Sequence, residues 1–444
     1  MAQRDLAAAV RVRPRRDHLE PVDATVELTL EGRPVTIRAW RRSIGREGGG
    51  HIPLYLLDTD VPGNSPAHRA LTDTLYGGDL RYRLMQEAVL GIGGVLMLRA
   101  LGADLRVCHM NEGHSALLAL ALLESAMADG VSQDDAIEAV RHMCVFTTHT
   151  PVPAGHDTFP LDLVRDVLGE ERTERLRSAG ALTGDALNMT HLGLHLSRYV
   201  NGVALRHQQV SAEMFPDHRI RSITNGIHAP TWASPGFAEL FDRRIPEWRT
   251  DRFNLRYAIA IPRDEIRDAH DQAKAELVAE VERRAGVALD PAAFTIGFAR
   301  RSTAYKRATL LFTEPDRLRR IARDVGPLQI VYAGKAHPRD EGGKALIKQI
   351  VTAARGLRPD IAVVYLQNYD MRLGGIMTAG VDLWLNTPQK PQEASGTSGM
   401  KSALNGVPSL SVLDGWWIEG HVEGVTGWSI GEGWKTATDS AAEA

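Results

Sequence analysis

Short apolar runs that stop abruptly in polar tips, separated by helix-length stretches, set the architecture of this sequence. They fall at residues 105–110, 144–149, 223–225, 295–299, 329–333, 362–366, 382–385 and 410–413. Runs this short, with little alternation, suit strands buried on both faces. Helical patterns such as 263–284 and 308–324 separate most of them, and strands alternating with helices give a parallel α/β architecture. The beginning differs. Residues 25–40 alternate polar and apolar about Glu31-Gly32, which predicts a β-hairpin with one buried face, and helical segments follow over 66–101. No fixed-period repeat or low-complexity tract interrupts this pattern.

Composition narrows the class. With 444 residues, 43% hydrophobic and 24% charged, the chain is globular and long enough for two or three cores. A net charge of -3 lacks the basic excess of a general nucleic-acid binder. No apolar run approaches a spanning helix, and the start MAQRDLAAAVRVRPRRD has no apolar signal core, so no membrane partner is expected. The two cysteines, Cys108 and Cys144, lie in candidate buried strands. A reducing cytoplasm fits them better than a disulfide framework.

A division is expected between 227 and 251, where proline and tryptophan concentrate in His228-Ala229-Pro230-Thr231-Trp232-Ala233-Ser234-Pro235. Two α/β domains, 1–227 and 228–444, would place ligand chemistry at the carboxyl ends of strands and in a cleft between them. The polar tips agree. Run 295–299 enters Arg300-Arg301-Ser302-Thr303-Ala304-Tyr305-Lys306-Arg307, and run 329–333 meets Gly334-Lys335-Ala336-His337-Pro338. Cations directly after a buried strand favour an anion site, although a charge run is more often a solvated face. Near the end, Glu393-Ala394-Ser395-Gly396-Thr397-Ser398-Gly399-Met400-Lys401 sets hydroxyls and glycines ahead of one lysine and a helix-prone run. Glycine N–H groups and a helix start can cradle a phosphate beside a lysine able to hold pyridoxal phosphate (PLP). The bland alternative is a well-capped loop with a solvated lysine.

Taken together, six segments resemble the α-glucan (glycogen, starch or maltodextrin) phosphorylase family, in its short bacterial branch. They are Asn111-Glu112-Gly113-His114-Ser115-Ala116, Thr148-His149-Thr150-Pro151-Val152-Pro153-Ala154-Gly155, Ile223-Thr224-Asn225-Gly226-Ile227-His228, residues 298–307, Ala333 to Pro338, and residues 393–406. They occur in family order across roughly 25–435. The resemblance implies two Rossmann-like domains facing a central cleft (GT-B type), a covalently held PLP, and reversible phosphorolysis of terminal α-1,4-glucosidic bonds. The implied partners are an α-1,4-glucan or maltooligosaccharide, inorganic phosphate and glucose 1-phosphate; a homodimer is common in that family.

Residue by residue, Lys401 resembles the Schiff-base lysine. Lys306 and Arg301 match the residues that hold substrate phosphate. Arg300 and Thr397 match those near the cofactor phosphate, with Gly399 in the same loop and Tyr369 as a cofactor-pocket tyrosine. Arg300 stands where many relatives have lysine. Asn225 and His149 match residues at the glucosyl hydroxymethyl group. Glu393, Ser395 and Gly396 match those reading the ring hydroxyls; Tyr305 lines the same subsite, and Glu112 and His114 resemble cleft-wall residues. No metal is implied. An oxocarbenium-like centre beside phosphates needs clustered cations, while hydroxyls need amide and carboxylate partners. His149 could instead be a satisfied strand-end histidine, and Asn225 a turn residue before Gly226.

The family's early glycine-rich phosphate loop has no counterpart here. Gly91-Ile92-Gly93-Gly94 follows a helical run instead of a strand and is rejected for that role. The family's C-terminal helices would lie beyond the polar tail 436–444, so the N-terminal domain is expected to be incomplete and the chain a fragment. Two other readings stay open: a nucleotide-sugar glucosyltransferase of the glycogen synthase type, and an inactive glucan-binding fragment.

Overall fold

The structure is a computed structural model that describes residues 19–45, 50–74, 78–336 and 340–431. His337 and Pro338, the polar start and the tail 436–444 lie outside the described residues. The chain divides into two compact units, one of residues 1–202 with 211–221, the other of residues 203–210 with 222–444.

The first unit opens with the expected hairpin. Strands Glu20–Leu30 and Arg33–Gly45 pair antiparallel with Leu28 opposite Val35 and Val26 opposite Ile37. Glu31 and Gly32, both at positive φ (53° and 70°), make the tight turn, whose twist matches the strands it joins. A third strand, His51–Asp58, extends this sheet. Leu28, Leu30, Val35 and Ile37 are buried in one core with the helix Leu80–Ala88 and its continuation Gly94–Ala100. Between those helices, Val89–Gly93 forms a π-helical turn. A Cβ on Gly91 would lie 2.6 Å from Leu118 N, and one on Gly93 would lie 2.5 Å from Ile37 Cδ1. Gly91 permits close packing against the start of helix Leu118–Ala128 and Gly93 against the hairpin; they form no phosphate loop.

A four-stranded sheet in the same unit runs in the order Ile220–Ser222, Tyr199–Gly202, Cys144–Thr147, Cys108–Asn111. Its last three strands pair in parallel. Cys108 and Cys144 are register partners on neighbouring strands, both buried and both free thiols. The strand expected at 223–225 lies three residues earlier. Ile220 is buried and Ile223 is 56% exposed, so the buried side chain, and with it the sheet, belongs to the earlier segment.

The second unit is built on a six-stranded sheet in spatial order Ala362–Leu366, Leu328–Ala333, Phe294–Ala299, Leu383–Asn386, Ser409–Val412, Gly427–Ile430. Every neighbouring pair is parallel. Counted along the chain that order is 3-2-1-4-5-6, the doubly wound arrangement whose switch point separates strands 1 and 4. Clusters about Trp384 with Leu277 and about Tyr332 with Ile350 lie in this unit. Helix Arg263–Ala285 ends at Gly286 in the left-handed region, as a C-terminal glycine allows. The helix expected over 308–324 is shorter: a 3-10 turn, Leu310–Phe312, precedes a helix that begins at Pro315, where proline at the first position suits a helix start.

Candidate active site

Strands 1 and 4 of the doubly wound sheet lie side by side, so the loops leaving their carboxyl ends meet. The loop after Phe294–Ala299 is held to strand 2 and its own tip by Arg300 N donating to Ala333 O and Ser302 N to Lys335 O. Arg307, at φ 45°, turns back and donates to the carbonyls of Thr387 and Pro388; Thr387 Oγ1 donates to those of Lys306 and Arg307. Two loops some eighty residues apart in sequence are thereby stitched along their length.

What the stitching brings together is a buried ionic cluster. Arg300 Nη1 donates to Glu393 Oε2 at 2.7 Å, and Lys306 Nζ donates to the same oxygen. Burial and the nearby Arg300 push the Lys306 amine down to about 7, against the pull of Glu393. Burial opposes ionisation of Glu393, but Arg300 and Lys306 outweigh it and hold the carboxyl below its ordinary range. The Tyr305 ring lies 4.4 Å from Lys306 Nζ, and burial beside Glu393 pushes its hydroxyl up to about 12. Arg301 is exposed, and no described side chain pairs with it.

The loop that carries Glu393 is fixed by a residue the sequence reading did not single out. Asp414 accepts from Glu393 N and from Gly415 N, each at 2.9 Å, and burial pushes its carboxyl up to about 6. The signal was the same one used elsewhere: Asp414 is the polar tip just beyond strand Ser409–Val412. Gly396 sits at φ 86°, and a Cβ there would crowd Glu393 at 3.3 Å, so only glycine fits without strain.

Helix Thr397–Leu404 starts directly after Gly396, with no side chain capping its first turn. Arg300 Nη2 reaches Ser398 Oγ at this helix start, and Trp384 Nε1 donates to the same oxygen. Ser395 Oγ is buried with no hydrogen-bond partner among the described residues. Lys401, one turn into the helix, places Nζ 3.6 Å from the centroid of the Trp232 ring. It pairs with no carboxylate among the described residues, and burial lowers its pKa from the ordinary lysine value. In the sequence, Trp232 marks only the expected domain boundary. Asn405 fixes it by donating to Trp232 O and Lys401 O and accepting from Ser234 N. Gly374 lets Tyr369 approach: a Cβ there would lie 2.9 Å from the Tyr369 hydroxyl and 3.8 Å from Trp232. Gly399 fits close to Trp416, Asn386 and Ser409. Asn225 also belongs to this unit. Its N–H donates to Val203 O, and the neighbouring Thr224 Oγ1 donates to Glu419.

The remaining candidates, Glu112, His114 and His149, lie in the first unit. Glu112 holds a strained backbone, φ 70° and ψ 167°. Its carboxylate accepts from Gly113 N, His149 N and Thr150 Oγ1 at 3.0, 2.6 and 3.0 Å. These contacts make it the support of the His149 loop. His149 Nε2 is buried without a partner among the described residues, and burial lowers the imidazole pKa. His114 Nδ1 lies within hydrogen-bond distance of Arg83 and Asp157, and the Arg83 guanidinium also pairs with Glu87 and Asp157. Glu87, His114 and Asp157 would have metal-ligand spacing, but the guanidinium already supplies the cation of that cluster. Burial and then Asp157 push Glu87 up to about 9; hydrogen bonds from His114 and Arg83 outweigh burial and hold Asp157 well below the usual carboxylate range.

Comparison with known proteins gives these clusters a context. A family model described as carbohydrate phosphorylase matches residues 169–425. Maltodextrin phosphorylase of Thermococcus litoralis is 41% identical over 438 residues, covering 92% of this chain and 52% of that protein. Glycogen phosphorylase of Mycobacterium tuberculosis is 40% identical over 447 residues, covering 88% and 50%. Glycogen phosphorylase of Aquifex aeolicus is 38% identical over 421 residues, covering 86% and 60%. The chain thus spans about half the length of the first two relatives.

Proposed function

This chain belongs to the carbohydrate phosphorylase family, and on that premise we propose that it is a PLP-dependent α-1,4-glucan phosphorylase chain. The reaction is phosphorolysis of terminal α-1,4-glucosidic bonds with retention, giving glucose 1-phosphate. One observation carries the reading: two buried cations share Glu393 at the switch point of a doubly wound sheet, and one of them, Arg300, reaches the uncapped start of the helix that bears Lys401. The same proposal includes two domains, 1–227 and 228–444, facing a cleft; the strand order of the second unit supports its C-terminal half. Two buried free thiols support a cytoplasmic setting, and no helix among the described residues is long and apolar enough to cross a membrane.

The residues present fit PLP. Lys401 offers an amine with no carboxylate partner among the described residues, set over an indole ring, and Tyr369 and Trp232 supply aromatic walls. The helix start at Thr397 and Gly399, with Arg300, suits a phosphate. When bound, PLP would be anchored at Lys401 and would supply a phosphate that exchanges a proton with substrate phosphate. The chain's own groups do the rest. Lys306 and Arg301 neutralise the substrate phosphate, and an amine near 7 lets Lys306 be charged when an anion is present. Glu393, Ser395, Asn225 and His149 offer partners for sugar hydroxyls, and Tyr305 gives the ring an aromatic edge.

The deciding experiment incubates purified chain with PLP, records its absorbance, and traps it with borohydride. A trapped chromophore that Lys401→Ala abolishes, with glucose 1-phosphate released from maltooligosaccharide and phosphate, is the expected result. A chain that binds a nucleotide sugar and takes up no PLP would refute the proposal.

A further inference from the structure

Glu393 has a second relation to the anion site that its reading as a sugar partner does not contain. One oxygen, Oε2, accepts from both Arg300 and Lys306. The side chains are nearly inaccessible, with 7% of Arg300 and 10% each of Glu393 and Lys306 exposed. Each carboxylate oxygen offers about two acceptor directions, so Oε2 is fully taken by cations, and the negative charge is drawn toward them. The carboxylate therefore stands to Arg300 and Lys306 as an oxyanion ligand would. Two cations against one carboxylate leave the cluster short of negative charge, and Asp414 directs its oxygens to backbone N–H groups. A dianion is attracted to such a place but must displace Oε2 to be held by the same cations.

The surroundings allow that displacement. Asp414 pins Glu393 by its backbone, not by its side chain. Glycines flank the side chain: a Cβ at Gly396 would come within 3.3 Å of Glu393 Cγ, and one at Gly415 within 3.1 Å. With no Cβ at either position, the carboxylate can change rotamer while the loop stays in place.

We propose that Glu393 is an exchangeable counter-ion: it holds Arg300 and Lys306 while the site lacks an anion, yields Lys306 to inorganic phosphate while Arg300 stays at the helix start by Ser398, and only then offers its full charge to sugar hydroxyls. The inference rests on reading this pocket as a phosphate and sugar site, and it adds coupling. Phosphate and glucan each strengthen the other's binding, by the same factor in both directions.

The test titrates inorganic phosphate calorimetrically into the full chain, with cofactor content held constant across variants and with or without maltotriose. Glu393→Gln removes the competing charge, so phosphate should bind about tenfold more tightly; damage to the site could only weaken it. Maltotriose should raise phosphate affinity in the unmodified protein and leave Glu393→Gln unmoved. If Glu393→Gln does not fold, Glu393→Asp, which keeps the charge but shortens its reach, should tighten phosphate binding by a smaller factor. Lys306→Ala is the control for the underlying reading and should weaken phosphate binding. Unchanged or weaker phosphate binding in the Glu393 variants, with Lys306→Ala still weakening it, overturns the exchange and leaves the phosphate site standing. Phosphate binding indifferent to Lys306→Ala overturns the site reading and the exchange with it.

Discussion

Glu87→Gln in the first unit should flatten the pH dependence of stability over a defined window. Glu87 is buried, and burial with Asp157 beside it raises its carboxyl from 4.5 to about 9. Glu87 and Asp157 therefore hold one proton between them at neutral pH, clamped by Arg83 and His114. An acid with a raised folded-state pKa keeps its proton after the unfolded chain has released it. Its stabilising contribution is complete below about 4.5 and drains away as pH rises toward 9. Each pH unit inside the window carries about 1.4 kcal/mol, so between pH ~5.5 and ~8.5 the loss from this group is roughly 4 kcal/mol. Glutamine cannot ionise, yet its amide can donate to Asp157 as the protonated acid does. The variant should be close to the parent in stability near pH 5.5 and increasingly the more stable of the two toward pH 8.5. Urea unfolding followed by circular dichroism at both pH values measures this, because titrations outside the Glu87, Asp157 and His114 cluster are common to the two proteins. Parallel profiles would mean that Glu87 is already ionised in the folded chain and that Arg83, not a shared proton, balances it.

Three further outcomes follow from the geometry. Gly396→Ala places a Cβ against Glu393 at a left-handed backbone position, which should cost about 1–2 kcal/mol in unfolding free energy and weaken phosphate binding in calorimetry. Glu112→Ala leaves the N–H groups of Gly113 and His149 and the Thr150 hydroxyl without their acceptor; thermal unfolding should show a loss of roughly 1–3 kcal/mol or more. Cys144, its thiol pushed up to about 12 by burial, and Cys108, also raised by burial, should resist alkylation at pH 8 in the native chain and react fully in urea, as read by mass spectrometry.

How much of this could be read in advance depended on whether a residue's surroundings are local. Residues 295–299 are all buried, so a continuous run announced the strand and its cationic tip announced a site. The hairpin turn was equally local, because Glu31 and Gly32 between alternating strands fix it. The strand at Ile220–Ser222 was missed because arginines flank its one buried residue, hiding the apolar signal that Ile223 falsely supplied. Glu112 resembles a cleft-wall residue in the sequence, and only the fold reveals that it accepts from Gly113 N, His149 N and the Thr150 hydroxyl. Asp414 escaped for a similar reason. Its place at a polar strand tip is legible in the sequence, but its task, accepting from Glu393 N and Gly415 N, depends on a loop that only the fold brings to it.

The strand order explains why the most distant residues were nonetheless the easiest to unite. Arg300 and Glu393 are separated by more than ninety positions, and nothing local joins them. In a doubly wound sheet, though, the first strand is neighbour to the fourth, and their carboxyl ends open onto the same place. Once residues 295–299 and 382–385 are accepted as parallel strands of one such sheet, the cations after one and the glutamate after the other must approach. Sequence can predict that approach but not its form. That both cations share a single carboxylate oxygen depends on the turn at Arg307, the glycine at 396 and the grip of Asp414. Those details decide whether the glutamate merely lines the site or competes with its anion, which is why phosphate affinity in Glu393→Gln discriminates between the two.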